Sequence, residues 1–115
     1  MRLTTDFWVS ALVRRVFDTG GFGAILQRGA SEAGAVFVLC RGRAGEVTLF
    51  GPAPQSSYAS GRPDDRLFAR IGEGEEPDAV ERRLEKERRF DPDIWVVEIE
   101  PGTVPVEDLI LEPRP

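Results

Sequence analysis

The chain has 115 residues, 41% of them hydrophobic and 30% charged, with one cysteine, no histidine and a formal charge of −5. That composition fits one globular domain of ordinary size and excludes a wholly disordered chain, a disulfide-stapled module and any site built on histidine. The net negative charge argues against nucleic acid as a partner. It is unevenly placed: residues 1–62 hold seven Arg against four acids, and residues 63–115 hold eight basic residues against sixteen acids.

The apolar run from Phe7 to Val13 follows Asp6 and ends at Arg14-Arg15, the wrong order for a secretory leader. A lone Cys40 and no leader lead us to expect a cytoplasmic protein with a reduced, largely buried thiol. No apolar stretch reaches the length of a membrane span.

The first element is a helix over about Phe7–Asp18. Val9, Leu12, Val13, Val16 and Phe17 recur at i, i+3, i+4, i+7 and i+8, which is one apolar stripe. Thr5 or Asp6 is placed to cap its start, and Gly20 or Gly21 to close its end. Strands follow over Ala24–Arg28, Ala35–Cys40 and Glu46–Phe50. The second is apolar at every position from Val36 to Leu39, so it is expected at the centre of a sheet, covered on both faces. Gly51–Asp65, rich in Gly, Pro and Ser, reads as a long loop and is expected to be the most mobile internal segment. A fourth strand occupies Arg66–Ile71.

Pro77–Arg89 is the second helix. Proline suits its first turn, acids crowd its start, and Arg88 and Arg89 its end, matching the helix dipole. Only Ala79, Val80, Leu84 and Phe90 offer apolar contact. Asp91-Pro92-Asp93 breaks the helix, and Ile94–Glu100 is a fifth strand with Trp95, Val97 and Ile99 on one face. The tail Val104–Leu111 is apolar enough to dock on the body. The order α-β-β-β-β-α-β with short connections gives an α+β fold, an antiparallel sheet of about five strands with two helices on one face.

With this layout the chain resembles a family of small bacterial proteins of the same length, the domain of unknown function numbered 1491. The resemblance spans the whole chain. It is carried by the helix Phe-Trp-Val-Ser-Ala-Leu-Val-Arg-Arg of residues 7–15, the glycines of 20–23, and the run Glu81–Asp93. The family has no assigned activity, so the resemblance gives no residue a catalytic or binding role and implies no cofactor.

The residues themselves offer few chemical constellations. Thr19-Gly20-Gly21-Phe22-Gly23 follows a helix and precedes a strand, the reverse of a dinucleotide-binding loop, and reads as a cap and turn. Glu98 and Glu100 with Asp64 and Asp65 could offer oxygens to a divalent ion. Solvent-facing acids on an edge strand explain them more simply. Glu81–Arg89 lacks the Arg-Glu pair and glycine spacing of a pyrophosphohydrolase helix. Cys40 reads as a structural thiol, although Arg41 and Arg43 would activate it if it were exposed.

Two surfaces remain. Arg41, Arg43, Arg62 and Arg66 with Tyr58, Ser56 and Ser57 would form an oxyanion pocket if the long loop folds over the hairpin turn. Phe50, Phe68, Ile94 and Val96 would make an apolar sheet face left over by the helices, and such faces mark interfaces. The leading expectation is a non-enzymatic, self-associating domain, a homodimer joined through that face or through the sheet edge. The rival is a small-molecule or oxyanion-binding domain using the arginine-bearing loop.

Overall fold

A computed structural model describes residues 3–54 and 66–110. It contains helix α1 (Thr5–Asp18), strands β1 (Phe22–Gln27), β2 (Val36–Arg41), β3 (Val47–Pro52) and β4 (Phe68–Glu75), helix α2 (Pro77–Phe90), strand β5 (Trp95–Glu100) and a 3-10 turn at Val106–Asp108. The element order is the one read from the sequence. The long-loop residues 55–65, and Leu111 at the tail's end, lie outside the described residues.

Helix α1 starts at Thr5, two residues before the expected Phe7. Thr4 is the cap, its Oγ1 accepting the Phe7 N–H at 3.1 Å. Thr5 is fully buried and donates its hydroxyl to the Gly34 carbonyl at 3.1 Å. At the other end Gly20 takes φ of +82°, a left-handed conformation that glycine adopts without a Cβ penalty.

The sheet order is β1-β5-β2-β3-β4. Three of the four strand pairs are antiparallel as expected, but β5 inserts between β1 and β2 and runs parallel to β2. The sheet is therefore mixed, which corrects the purely antiparallel reading. Parallel neighbours need a long crossover in place of a hairpin, and α2 supplies it, carrying the chain from the β4 edge to β5. Strand β5 is thus an inner strand, and Glu98 and Glu100 are not edge acids.

The helices lie on opposite faces, the second correction. Val9, Leu12 and Val16 of α1 share a core with Val36, Val38, Phe50, Phe68, Trp95, Val97 and Ile99, closed by Leu109 and Ile110 of the tail. Val80 and Leu84 of α2 cover Phe37, Leu39, Val47, Leu49, Ile94 and Val96 on the other face. Phe50 and Phe68 accordingly belong beneath α1, Ile94 and Val96 beneath α2, and all four are buried within the chain. A sheet face free of helix, required for the face-to-face homodimer, does not exist. The crossover direction decides this: a β4–α2–β5 connection must pass over one face, and α1 already occupies the other.

The loop between β1 and β2 packs tightly on the start of β5. A Cβ on Gly29 would run into the carbonyls of Asp93 and Ile94, so this close backbone approach demands glycine.

Candidate functional site

The arginines do not converge. Arg41 ends β2 and pairs with Glu98 at 3.3 Å. Arg43 is exposed in the β2–β3 turn. Arg66 lies at the other end of the sheet, donating to Thr5 Oγ1 at 2.6 Å with its guanidinium 5.6 Å from the Trp8 ring. Thr5 is anchored to Gly34, ahead of β2, so the six residues of β2 separate Arg66 from Arg41 by roughly 20 Å at about 3.3 Å per residue. Tyr58 and Arg62, with Ser56 and Ser57, lie outside the described residues.

The start of α1 offers no open ligand site. The first N–H groups of α1 are occupied: Thr5 donates to Glu32 O, Asp6 to Ser31 O and Phe7 to Thr4 Oγ1. Among the described residues no three His, Cys, Asp or Glu side chains come together to share a metal ion. No buried side-chain nitrogen or oxygen among them lacks a partner. Asp64 and Asp65 lie outside the described residues.

Cys40 is half-buried on the α1 face. Burial pushes its thiol up from 9.0 to about 11; nearby Arg70 opposes the rise, while Glu107 and Glu46 add to it. The folded thiol therefore holds its proton more tightly than the unfolded one. Its contribution to stability is complete below about pH 9 and is lost as pH rises through about 11. At neutral pH the native thiol is expected to react with a maleimide or disulfide reagent roughly 100-fold more slowly than a peptide cysteine, since the thiolate is the nucleophile. Timed labelling of native and denatured protein measures this. Equal rates would show that Cys40 is open to solvent and ionises normally.

What stands out is the β1 edge. One side of β1 pairs with β5, and its other side has no strand partner in the described sheet. The strand Phe-Gly-Ala-Ile-Leu-Gln carries no charge and no proline, the two commonest devices that keep an edge from pairing with another chain. A bulge falls between Ile25 and Gln27, leaving Phe22–Ile25 in regular register. The opposite edge, β4, is defended: it carries Arg70, Glu73 and Glu75, and its pairing with β3 shifts register twice.

Exposed apolar side chains gather along the same edge. At the start of β1, Phe22 (46% exposed) meets Phe17 (50% exposed) edge to face, with centroids 5.9 Å apart. At its end Leu26 is 53% exposed. Arg88 of α2 donates to Gln27 there. Reading the sequence missed this cluster. Its signal was the uncharged run from residue 22 to 27, but only the insertion of β5 shows that this run borders the sheet.

The fold and this edge define a small α+β domain with a mixed five-stranded sheet, a helix on each face and one uncharged border strand. The chain belongs to the DUF1491 family, proteins of unknown function, whose model matches residues 3–104. It is similar to the solution structure of protein Atu0922 from A. tumefaciens, at 45% identity over 100% of this chain and 98% of that one, with a TM-score of 0.82. It is also similar to the crystal structure of a DUF1491 family protein from Caulobacter crescentus CB15, at 35% identity over 98% of each chain and a TM-score of 0.75. No curated protein matches the sequence. No helix among the described residues is long and apolar enough to cross a membrane.

Proposed function

We propose that this protein is a non-enzymatic interaction domain that self-associates into a homodimer through the outer edge of β1. The observation that carries the reading is the coincidence of an uncharged border strand with Phe17, Phe22 and Leu26 exposed along it. Unpaired backbone groups of an edge strand add another strand by main-chain hydrogen bonds, and neighbouring apolar side chains supply the buried area. A protonated, half-buried Cys40 accords with a cytoplasmic setting.

The test is mass in solution. Wild-type protein at tens of micromolar is expected at twice its 12.7 kDa chain mass. Phe17→Ser with Phe22→Ser is expected to run at one chain mass with a native far-ultraviolet circular dichroism spectrum, because neither side chain belongs to the buried core. A monomeric wild type, or a dimeric variant, would remove this reading. The rival reading, an oxyanion site around Arg41 and Arg43, has the Arg41–Glu98 ion pair competing with any ligand. A rise of several degrees in melting temperature with millimolar phosphate, abolished by Arg41→Gln, would favour it.

A further inference from the structure

We infer that residues 104–110 form a latched strap, which lifts from the α1 face while the rest of the fold stays intact and uncovers the Cys40 thiol. Helix α1 lies over β1 and β5. The same face continues across β2 and β3 through Cys40 and Phe50, and Leu109 and Ile110 of the strap close it, at 6% and 2% exposure.

The root of the strap is fixed. Thr103 donates its N–H and its hydroxyl to Thr19 O, at 3.0 and 3.2 Å, and a Cβ on neighbouring Gly102 would run into the same carbonyl. Beyond Thr103 the backbone turns inward on itself. Pro105 has no N–H to give. Asp108 donates to Pro105 O, and Leu109 and Ile110 both donate to Val106 O. Among the described residues, no backbone-to-backbone bond ties 105–110 to the sheet or to α1.

Two arginines hold the strap from opposite sides. Arg15 of α1 donates to Leu109 O at 2.9 Å, and Arg70 of β4 to Glu107 Oε1 at 3.2 Å. Arg70 also lies 5.2 Å from the Phe50 ring, and the charges of Arg70 and Glu107 both reach the Cys40 thiol. The Arg70–Glu107 pair is open to solvent, with Glu107 60% exposed, and such pairs hold weakly. A segment with little buried area and no backbone bonds to its surroundings opens at lower cost than the whole fold.

Amide hydrogen exchange and maleimide labelling of Cys40 on the full chain test this. The Leu109 and Ile110 amides are expected to exchange at least roughly tenfold faster than those of Val38 and Val97 in the central strands. Their exchange, and the labelling, should rise only weakly with sub-denaturing urea, because little surface is exposed. Arg15→Gln removes one grip at an exposed position without touching the charges that act on the thiol. It is expected to speed strap exchange and labelling together by roughly three- to tenfold, and Arg15→Lys, which can still donate, recovers part of the loss. Strap amides that exchange as slowly as Val38, with the same steep urea dependence, would show that the strap opens only when the whole chain unfolds. Faster strap exchange in Arg15→Gln with unchanged labelling would show that the strap does not cover Cys40. An equal effect from Arg14→Gln would assign the change to helix charge and remove Arg15 as a grip.

Discussion

Phe68→Glu is expected to unfold the chain at 25 °C. Phe68 is 1% exposed and packs against the Trp8 ring at 5.5 Å between centroids, in the core beneath α1. Removing a buried phenylalanine costs about 3–5 kcal/mol. A carboxylate forced into that space has no partner among apolar neighbours and must be desolvated or protonated, at a further cost of several kcal/mol. Together these approach the roughly 5–15 kcal/mol that holds a domain folded. Far-ultraviolet circular dichroism and a urea titration measure the outcome. Phe68→Leu, which keeps most of the apolar volume, is expected to remain folded with a lower urea midpoint. A folded Phe68→Glu that merely lost a partner chain would mean that Phe68 points away from α1.

Trp95→Ala is expected to be the other severe loss, because one side chain fills the core and fastens a loop. Trp95 is 1% exposed among residues of the α1-side core. Its Nε1–H donates to the Ala30 carbonyl at 2.8 Å, and Arg28 stacks 5.6 Å from its ring. Ala30 in turn donates its N–H to Asp93 O, and the Trp95 N–H goes to Ala35 O. The segment that leads from β1 to β2 is thus held against β5 from both ends. Truncation to alanine costs about 3–5 kcal/mol from lost packing and the cavity. Trp95→Phe keeps much of the ring volume and removes the indole donor, and is expected to cost about 1–3 kcal/mol. Urea midpoints should therefore fall in the order wild type, Trp95→Phe, Trp95→Ala. Equal midpoints for wild type and Trp95→Phe would show that the Ala30 bond contributes nothing.

The β1 edge gives the family a concrete question about assembly. Stability variants such as Phe68→Leu act on the core, whereas Phe17→Ser with Phe22→Ser acts on exposed side chains. The first class should move the urea midpoint at every protein concentration, the second only where the protein is dimeric, through the dissociation constant.

Local physics made much of this protein legible from its sequence. The 3.6-residue stripe Val9, Leu12, Val16 marks α1, the proline and graded charges mark α2, and the unbroken apolar run Val36–Leu39 marks a strand covered on both faces. Each depends on residues a few positions apart, so the chain alone carries the information. Alternation likewise put Trp95, Val97 and Ile99 on one face. Which face each helix covers, and which strand borders the sheet, was not legible, because both depend on pairing between distant segments. Alternation shows that Phe50 and Phe68 have a buried side but does not say which helix lies over it. Ile94 to Val97 is apolar at four successive positions, a pattern suited to an inner strand, yet nothing in it names β1 and β2 as its neighbours. The tertiary structure decided that by running α2 as a crossover, which drew β5 inward between them. That single insertion placed Ile94 and Val96 inside the sheet and left the uncharged strand β1 at its border, while the antiparallel run of β2, β3 and β4 set Arg41 and Arg66 at opposite ends.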